Sequence, residues 1–226
     1  MPQPTHCFFD LDGTITDSAP GITGSVRYAL EKMNIPIPDG LNLNCFIGPP
    51  LLYGFSAFCG LNEADAARAV ELYRENYRAG GMFECHVYDG IREMLDELSR
   101  RGVTLVLATC KPHEFATKIL EKFELLHYFR FVSGPEMDGT RNTKHEVIAH
   151  AMEQLGIDNP QDILMIGDRA DDVIGAQKNG IGCAGVLWGF GSREELEAAG
   201  AVALPEVPHQ IIDFFNAESD SWRTTK

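Results

Sequence analysis

The sequence predicts an α/β fold, a doubly wound parallel sheet with an inserted all-helical domain. Three observations lead there. Strand-like runs recur that are continuously apolar, not alternating, as expected of parallel strands covered by helices on both faces. Helical patterns separate these runs, and strand–helix alternation is the mark of crossover units. One interval of about ninety residues, between the first and second strands, carries helical patterns alone, where a whole crossover can be as short as roughly 10–12 residues.

The strand runs cover residues 7–10, 103–109, 131–133, 163–168 and 182–187, with a weak sixth at 201–204. The helical patterns of the core cover 90–101, 112–123, 143–155 and 170–179. Within the long interval, residues 18–33 read as a helix with Asp17 or Ser18 as N-cap, and 51–59 and 63–78 as two more. The domain reading follows: residues 1–15 and 86–216 form the core, 16–85 the helical insert, and 217–226 a polar tail. The insert leaves the core just after Asp12, so it is expected to overhang that residue as a cap, hinged near Thr16 and near residues 88–90.

Composition narrows the function classes. The chain has 226 residues, 44% of them hydrophobic, and a net charge of −14. A chain this acidic is a poor non-specific binder of nucleic acid or of an anionic membrane. A phosphorylated substrate would need a local positive focus, such as a divalent cation with one or two lysines. No run approaches the roughly 18 apolar residues of a membrane span. The first residues lack a basic n-region, so no signal peptide is expected. The six cysteines form no Cys-x-x-Cys pair and read as reduced thiols of a cytoplasmic protein.

The most informative run is Cys7-Phe8-Phe9-Asp10-Leu11-Asp12-Gly13-Thr14. Carboxylates at the end of an apolar strand are costly unless something uses them. Asp10 reads as the last strand residue, at the carboxyl edge where open α/β sheets bind ligands. Gly13 permits a sharp turn, and Thr14 offers a hydroxyl and a backbone N–H beyond it. Two carboxylates beside free amides can hold a cation and a phosphate together.

Three later segments bring compatible chemistry. Thr109 ends the second strand ahead of Cys110, Lys111 and Pro112; a hydroxyl at a strand end and helix start makes an anion site, although a simple N-cap reads the same way. Lys144 opens a helix, where its charge opposes the helix dipole, so the charge is wanted elsewhere. Lys111 is the rival cation. Gly167-Asp168-Arg169-Ala170-Asp171-Asp172 ends the fourth strand in a cluster of carboxylates that repel one another unless a cation is bound.

Together these segments resemble the four motifs of the haloacid dehalogenase (HAD) superfamily, in its phosphatase branch, and most of all the phosphoglycolate phosphatase-like group. The resemblance implies a Rossmann-like core with a helical cap. It implies Asp10 as nucleophile, Asp12 as general acid/base, and Thr109 and Lys144 on the transferring phosphoryl group, although His145 stands where many relatives have Pro. It also implies Mg²⁺ held by Asp10, Asp168 with its partner Asp172, and the backbone carbonyl of Asp12, with Asp12 kept protonated by its neighbours. Gly13, Thr14, Cys110 and Gly48, the last in the turn at residues 47–50, are expected at the substrate. The expected partner is a small phosphorylated metabolite, and the chain a monomer or homodimer. A 5′-nucleotidase, a pyrophosphatase and a phosphomutase share the motif set. A non-catalytic phosphometabolite-binding module is the reading from another class. Asp12 argues against a dehalogenase, and Lys32, the one lysine of the insert, against a phosphonatase. Cys110, at a helix start beside Lys111, is expected to have a lowered thiol pKa and to be reactive.

Overall fold

The structure, a computed structural model, describes residues 4–138 and 140–216. The predicted polar tail lies outside these residues. The chain divides into two compact units: the residues up to Thr16 together with those from Val87 onward, and Asp17–His86. In chain order the main elements are β1 (His6–Phe9), β2 (Thr16–Asp17), α1 (Ala19–Lys32), α2 (Leu51–Cys59), α3 (Glu63–Ala79), β3 (His86–Val87), α4 (Ile91–Arg100), β4 (Thr104–Ala108), α5 (His113–Lys122), β5 (Phe129–Ser133), α6 (Lys144–Leu155), β6 (Ile163–Gly167), α7 (Ala170–Lys178), β7 (Gly182–Gly185) and α8 (Arg193–Ala199).

The first unit is built on a five-stranded parallel sheet ordered β5-β4-β1-β6-β7. Cys7, Phe8 and Phe9 of β1 are fully buried because β1 is the middle strand and both of its faces are covered. Phe8 packs with Val106, Met165, Val147 and Val173, while Phe9 meets Phe129 edge-on at 6.3 Å between ring centroids. Burying each such ring stabilises the fold by roughly 1.5–3 kcal/mol. The helices dock by their apolar stripes; α4 buries Ile91, Met94, Leu95 and Leu98, the spacing of one helical face. The chain runs outward from β1 to β4 and β5, then returns to the other side of β1 for β6 and β7. That reversal opens a crevice at the carboxyl ends of β1 and β6.

The structure refines the strand reading at three points. Asp10 lies one residue beyond β1, its N–H still donating to the Ile166 carbonyl at 2.9 Å. The weak sixth strand is a single bridge, Ala184 to Ala203; Pro205 follows two residues on and has no N–H with which to extend a ladder. A two-stranded sheet, β2 with β3, joins the segments that enter and leave the insert. It is too short to leave an alternating pattern in the sequence.

The second unit is helical. In α1 it buries Ile22, Val26, Ala29 and Leu30, and in α3 Ala66, Ala69, Leu72, Tyr73 and Tyr77. Asn76 Nδ2 donates to Ser25 Oγ at 3.1 Å between these two helices. Ser18 is the N-cap of α1 by position, but the capping bond comes from Asp17, whose Oδ1 accepts from the Ala19 N–H. Among the described residues no helix is long and apolar enough to cross a membrane.

Candidate active site

The turn after β1 is tied tightly. The N–H groups of Ile15 and Thr16 donate to the Leu11 carbonyl at 2.9 Å and that of Thr14 at 3.3 Å, while Gly13 N–H donates to the Thr16 carbonyl at 2.8 Å. The amides of Gly13 and Thr14 are therefore spent on the turn, which corrects the expectation that they stand free for a phosphate. Both residues act on the site through Asp168 instead. Gly13 has φ +86°, and a Cβ on it would stand 2.2 Å from Asp168 Oδ2. The Thr14 hydroxyl donates to Asp168 Oδ1 at 3.3 Å.

Asp168 follows β6 and is fully buried. Its Oδ2 accepts from the Phe190 N–H at 2.8 Å. The loop that carries Phe190 is held from the other side by the Trp188 indole, which donates to the Thr14 carbonyl at 3.0 Å. Sequence reasoning missed this loop; its signal was the spacing of Gly189 and Gly191 after the last apolar run. Asp172 sits in the first turn of α7, where its Oδ2 accepts from the Arg169 N–H at 3.1 Å.

Ligand oxygens of Asp10, Asp168 and Asp172 lie within 4.8 Å of one another. Lys144, at the start of α6, projects among them. Its Nζ stands 2.8 Å from Asp10 Oδ1 and 2.7 Å from Asp172 Oδ1, and donates to the Ala108 carbonyl at 3.0 Å. Burial alone would lower the Lys144 pKa, but Asp10 and Asp172 outweigh it and hold the ammonium well above its ordinary range. Burial, and then the charges of Asp172 and Asp10, push Asp168 well up. Burial pushes Asp172 up to about 6 against the pull of Lys144. Ionised together, three buried carboxylates with one ammonium would leave net negative charge in the interior. Oxygen ligands, this spacing and that surplus fit a hard divalent cation such as Mg²⁺.

Asp12 stands apart from that cluster. Lys111 Nζ donates to both of its carboxylate oxygens, at 2.9 and 2.7 Å. The neighbour the structure gives Asp12 is therefore the Lys111 side chain, at 2.7 Å. Lys111 thus pairs with Asp12, and Lys144 with Asp10 and Asp172. Thr109 lies at the end of β4, buried, its Oγ1 accepting from the Lys111 N–H at 3.1 Å.

Cys110 departs most from expectation. The residue is partly exposed, yet desolvation, and then the charges of Asp10, Asp172 and Asp171, push its thiol up to about 12 despite Lys144. Proximity to a helix start and a lysine in sequence does not lower a pKa when desolvation of the thiolate outweighs them. Gly48 belongs to the other unit, at φ +101°.

Fold and site together define a doubly wound α/β protein with an acidic site at the carboxyl edge of its sheet and a helical insertion after the first strand. A family model described as haloacid dehalogenase-like hydrolase matches residues 7–186. A 5′-nucleotidase of Pseudomonas aeruginosa is 48% identical over 193 residues, 85% of this chain and 87% of that protein. The tyrosine-protein kinase PtkA of Mycobacterium tuberculosis is 39% identical over 86% of this chain and 66% of its own length. Phosphoglycolate phosphatase 1 of P. aeruginosa is 30% identical over 93% of this chain and 76% of that protein. Among solved structures, a predicted phosphatase from Clostridium acetobutylicum superposes with a TM-score of 0.87 at 46% identity, covering 93% of this chain and 97% of that one. The chain belongs to the haloacid dehalogenase-like hydrolases.

Proposed function

We propose that this phosphoric monoester hydrolase cleaves a small phosphorylated metabolite through an aspartyl-phosphate on Asp10, with Mg²⁺ as its cation. The observation that supports the reading is the gathering of Asp10, Asp168 and Asp172, with Lys144 on Asp10 and Asp172, and Asp12 apart from them on a lysine of its own. Asp10 attacks phosphorus and displaces the alkoxide. Asp12 protonates the leaving oxygen and later takes a proton from the water that opens the acyl-phosphate. Thr109 and Lys144 hold the phosphoryl oxygens. Asp10, Asp168 and Asp172, with the Asp12 carbonyl, would hold the Mg²⁺, which supplies charge neutralisation of the phosphate when bound.

Nucleoside 5′-monophosphates stand first as substrate class, because the 5′-nucleotidase relative is 48% identical over 85% of the chain. Phosphoglycolate stands second, on the 30% relative. The test is phosphate release from nucleoside monophosphates, phosphoglycolate and pyrophosphate, with and without Mg²⁺, by the wild type and Asp10→Asn. Mg²⁺-dependent release by the wild type alone, at equal melting temperatures, is expected. Ordinary turnover by Asp10→Asn would overturn the mechanism.

A further inference from the structure

We infer that Lys111 is the positioning residue of Asp12: it holds that side chain in the orientation from which it reaches the leaving oxygen. The inference rests on the reading of Asp12 as the proton carrier. The two side chains form a two-pronged ion pair, with Lys111 Nζ donating at 2.9 and 2.7 Å to both oxygens of Asp12. Their side chains are 5% and 16% exposed, so water competes little for either. Two charge-assisted bonds to one carboxylate fix its plane as well as its position.

Lys111 is itself firmly placed. Its N–H donates to Thr109 Oγ1 at 3.1 Å. Its carbonyl lies so close to Gly134 that a Cβ there would come within 2.6 Å of it. Pro112, with φ −49°, then leads into α5. The lysine thus hangs from the same strand end as Thr109 and reaches across to the β1 turn. Its reach matters because Asp12 is only two residues from Asp10 yet does not join the carboxylates around Lys144. A carboxylate left loose beside that cluster would turn toward whatever positive charge the cluster holds. Lys111 holds it on its own ammonium instead. On this inference Lys111 acts on the reaction through Asp12.

The test is a double-mutant cycle of Lys111→Met and Asp12→Asn, with Lys111→Arg as the conservative variant and Lys111→Gln as a second truncation should the first fold poorly. Kinetics are read on p-nitrophenyl phosphate and on an alkyl phosphate, with melting curves and calorimetric binding of inorganic phosphate alongside. General acid–base catalysis contributes about 10²–10⁴-fold, and misplacing the acid forfeits part of that. Lys111→Met should lower kcat on the alkyl phosphate about tenfold or more, lower it less on the aryl phosphate, and leave KM and phosphate binding within about twofold. Lys111→Arg should recover most of the loss, and Lys111→Met should cost nothing further in the Asp12→Asn background. Equal losses in both backgrounds, a raised KM with kcat kept, or unchanged kinetics would each overturn the inference while leaving the phosphatase reading intact. If Asp12→Asn alone changed nothing on either substrate, the assignment of Asp12 would fall, and the inference with it.

Discussion

Gly175 of α7 lies against the stem of Lys144: a Cβ built on that glycine would stand 2.7 Å from both Cβ and Cγ of the lysine. The two helices α6 and α7 approach closely there because one of them has no side chain. That approach lets Lys144 place its ammonium 2.8 Å from Asp10 and 2.7 Å from Asp172.

Gly175→Ala is therefore expected to damage activity more than folding. Overpacking costs typically 1–3 kcal/mol, but the atoms displaced belong to the lysine that serves the nucleophile. A melting temperature lowered by a few degrees with kcat reduced about tenfold or more is expected. Unchanged kcat in a destabilised protein would show that Lys144 is held by Asp10 and Asp172 alone.

The reading of Asp12 gives a leaving-group signature. Asp12→Asn should slow alkyl phosphates by about 10²–10⁴-fold and p-nitrophenyl phosphate far less, since a good leaving group needs no proton. Steady-state rates on the two esters decide it. Equal losses would remove Asp12 from the role of acid.

Metal and pH are linked through the buried carboxylates. Asp168 and Asp172 are raised above their ordinary range, Asp172 to about 6. A carboxylate raised in the folded state contributes stability that is present at acid pH and lost as pH rises through its folded pKa. Without metal, the contribution of Asp172 should fall between about pH 4 and 6. Added Mg²⁺ should then raise the melting temperature at pH 7.5 and have little effect at pH 4.5, where protons occupy the ligands. A Mg²⁺ shift that is equal at both pH values in scanning calorimetry would place the ion elsewhere.

Cys110 should be inert. With its thiol pushed up to about 12, little thiolate exists at pH 7.5. Iodoacetamide followed by peptide mass spectrometry should leave Cys110 unmodified in enzyme that keeps its activity. Rapid labelling of Cys110 with matching inactivation would show a thiol open to the cleft.

The alternation of apolar runs and helical stripes, the helical insert and the motif order were all legible in the sequence, because each rests on local periodicity or on residues adjacent in the chain. Asp10 and Asp12 could be read at the end of β1, and Asp168 and Asp172 around the turn into α7, because a strand end followed by a turn places its residues at one sheet edge whatever the rest does. The partners of those carboxylates depended on tertiary structure. Lys111 pairs with Asp12 and Lys144 with Asp10 and Asp172 because parallel pairing brings the ends of β4 and β1 together and α6 packs on α7. Side-chain reach across those contacts has no period in the sequence. The same holds for Phe190 and Trp188, which steady Asp168 and the β1 turn from a loop beyond β7. It holds for Cys110, whose chain neighbours suggested a thiolate while desolvation in the folded chain outweighs even the nearby Lys144. Charge falls off with distance through space, not along the chain, so electrostatic surroundings are settled only when the chain is folded.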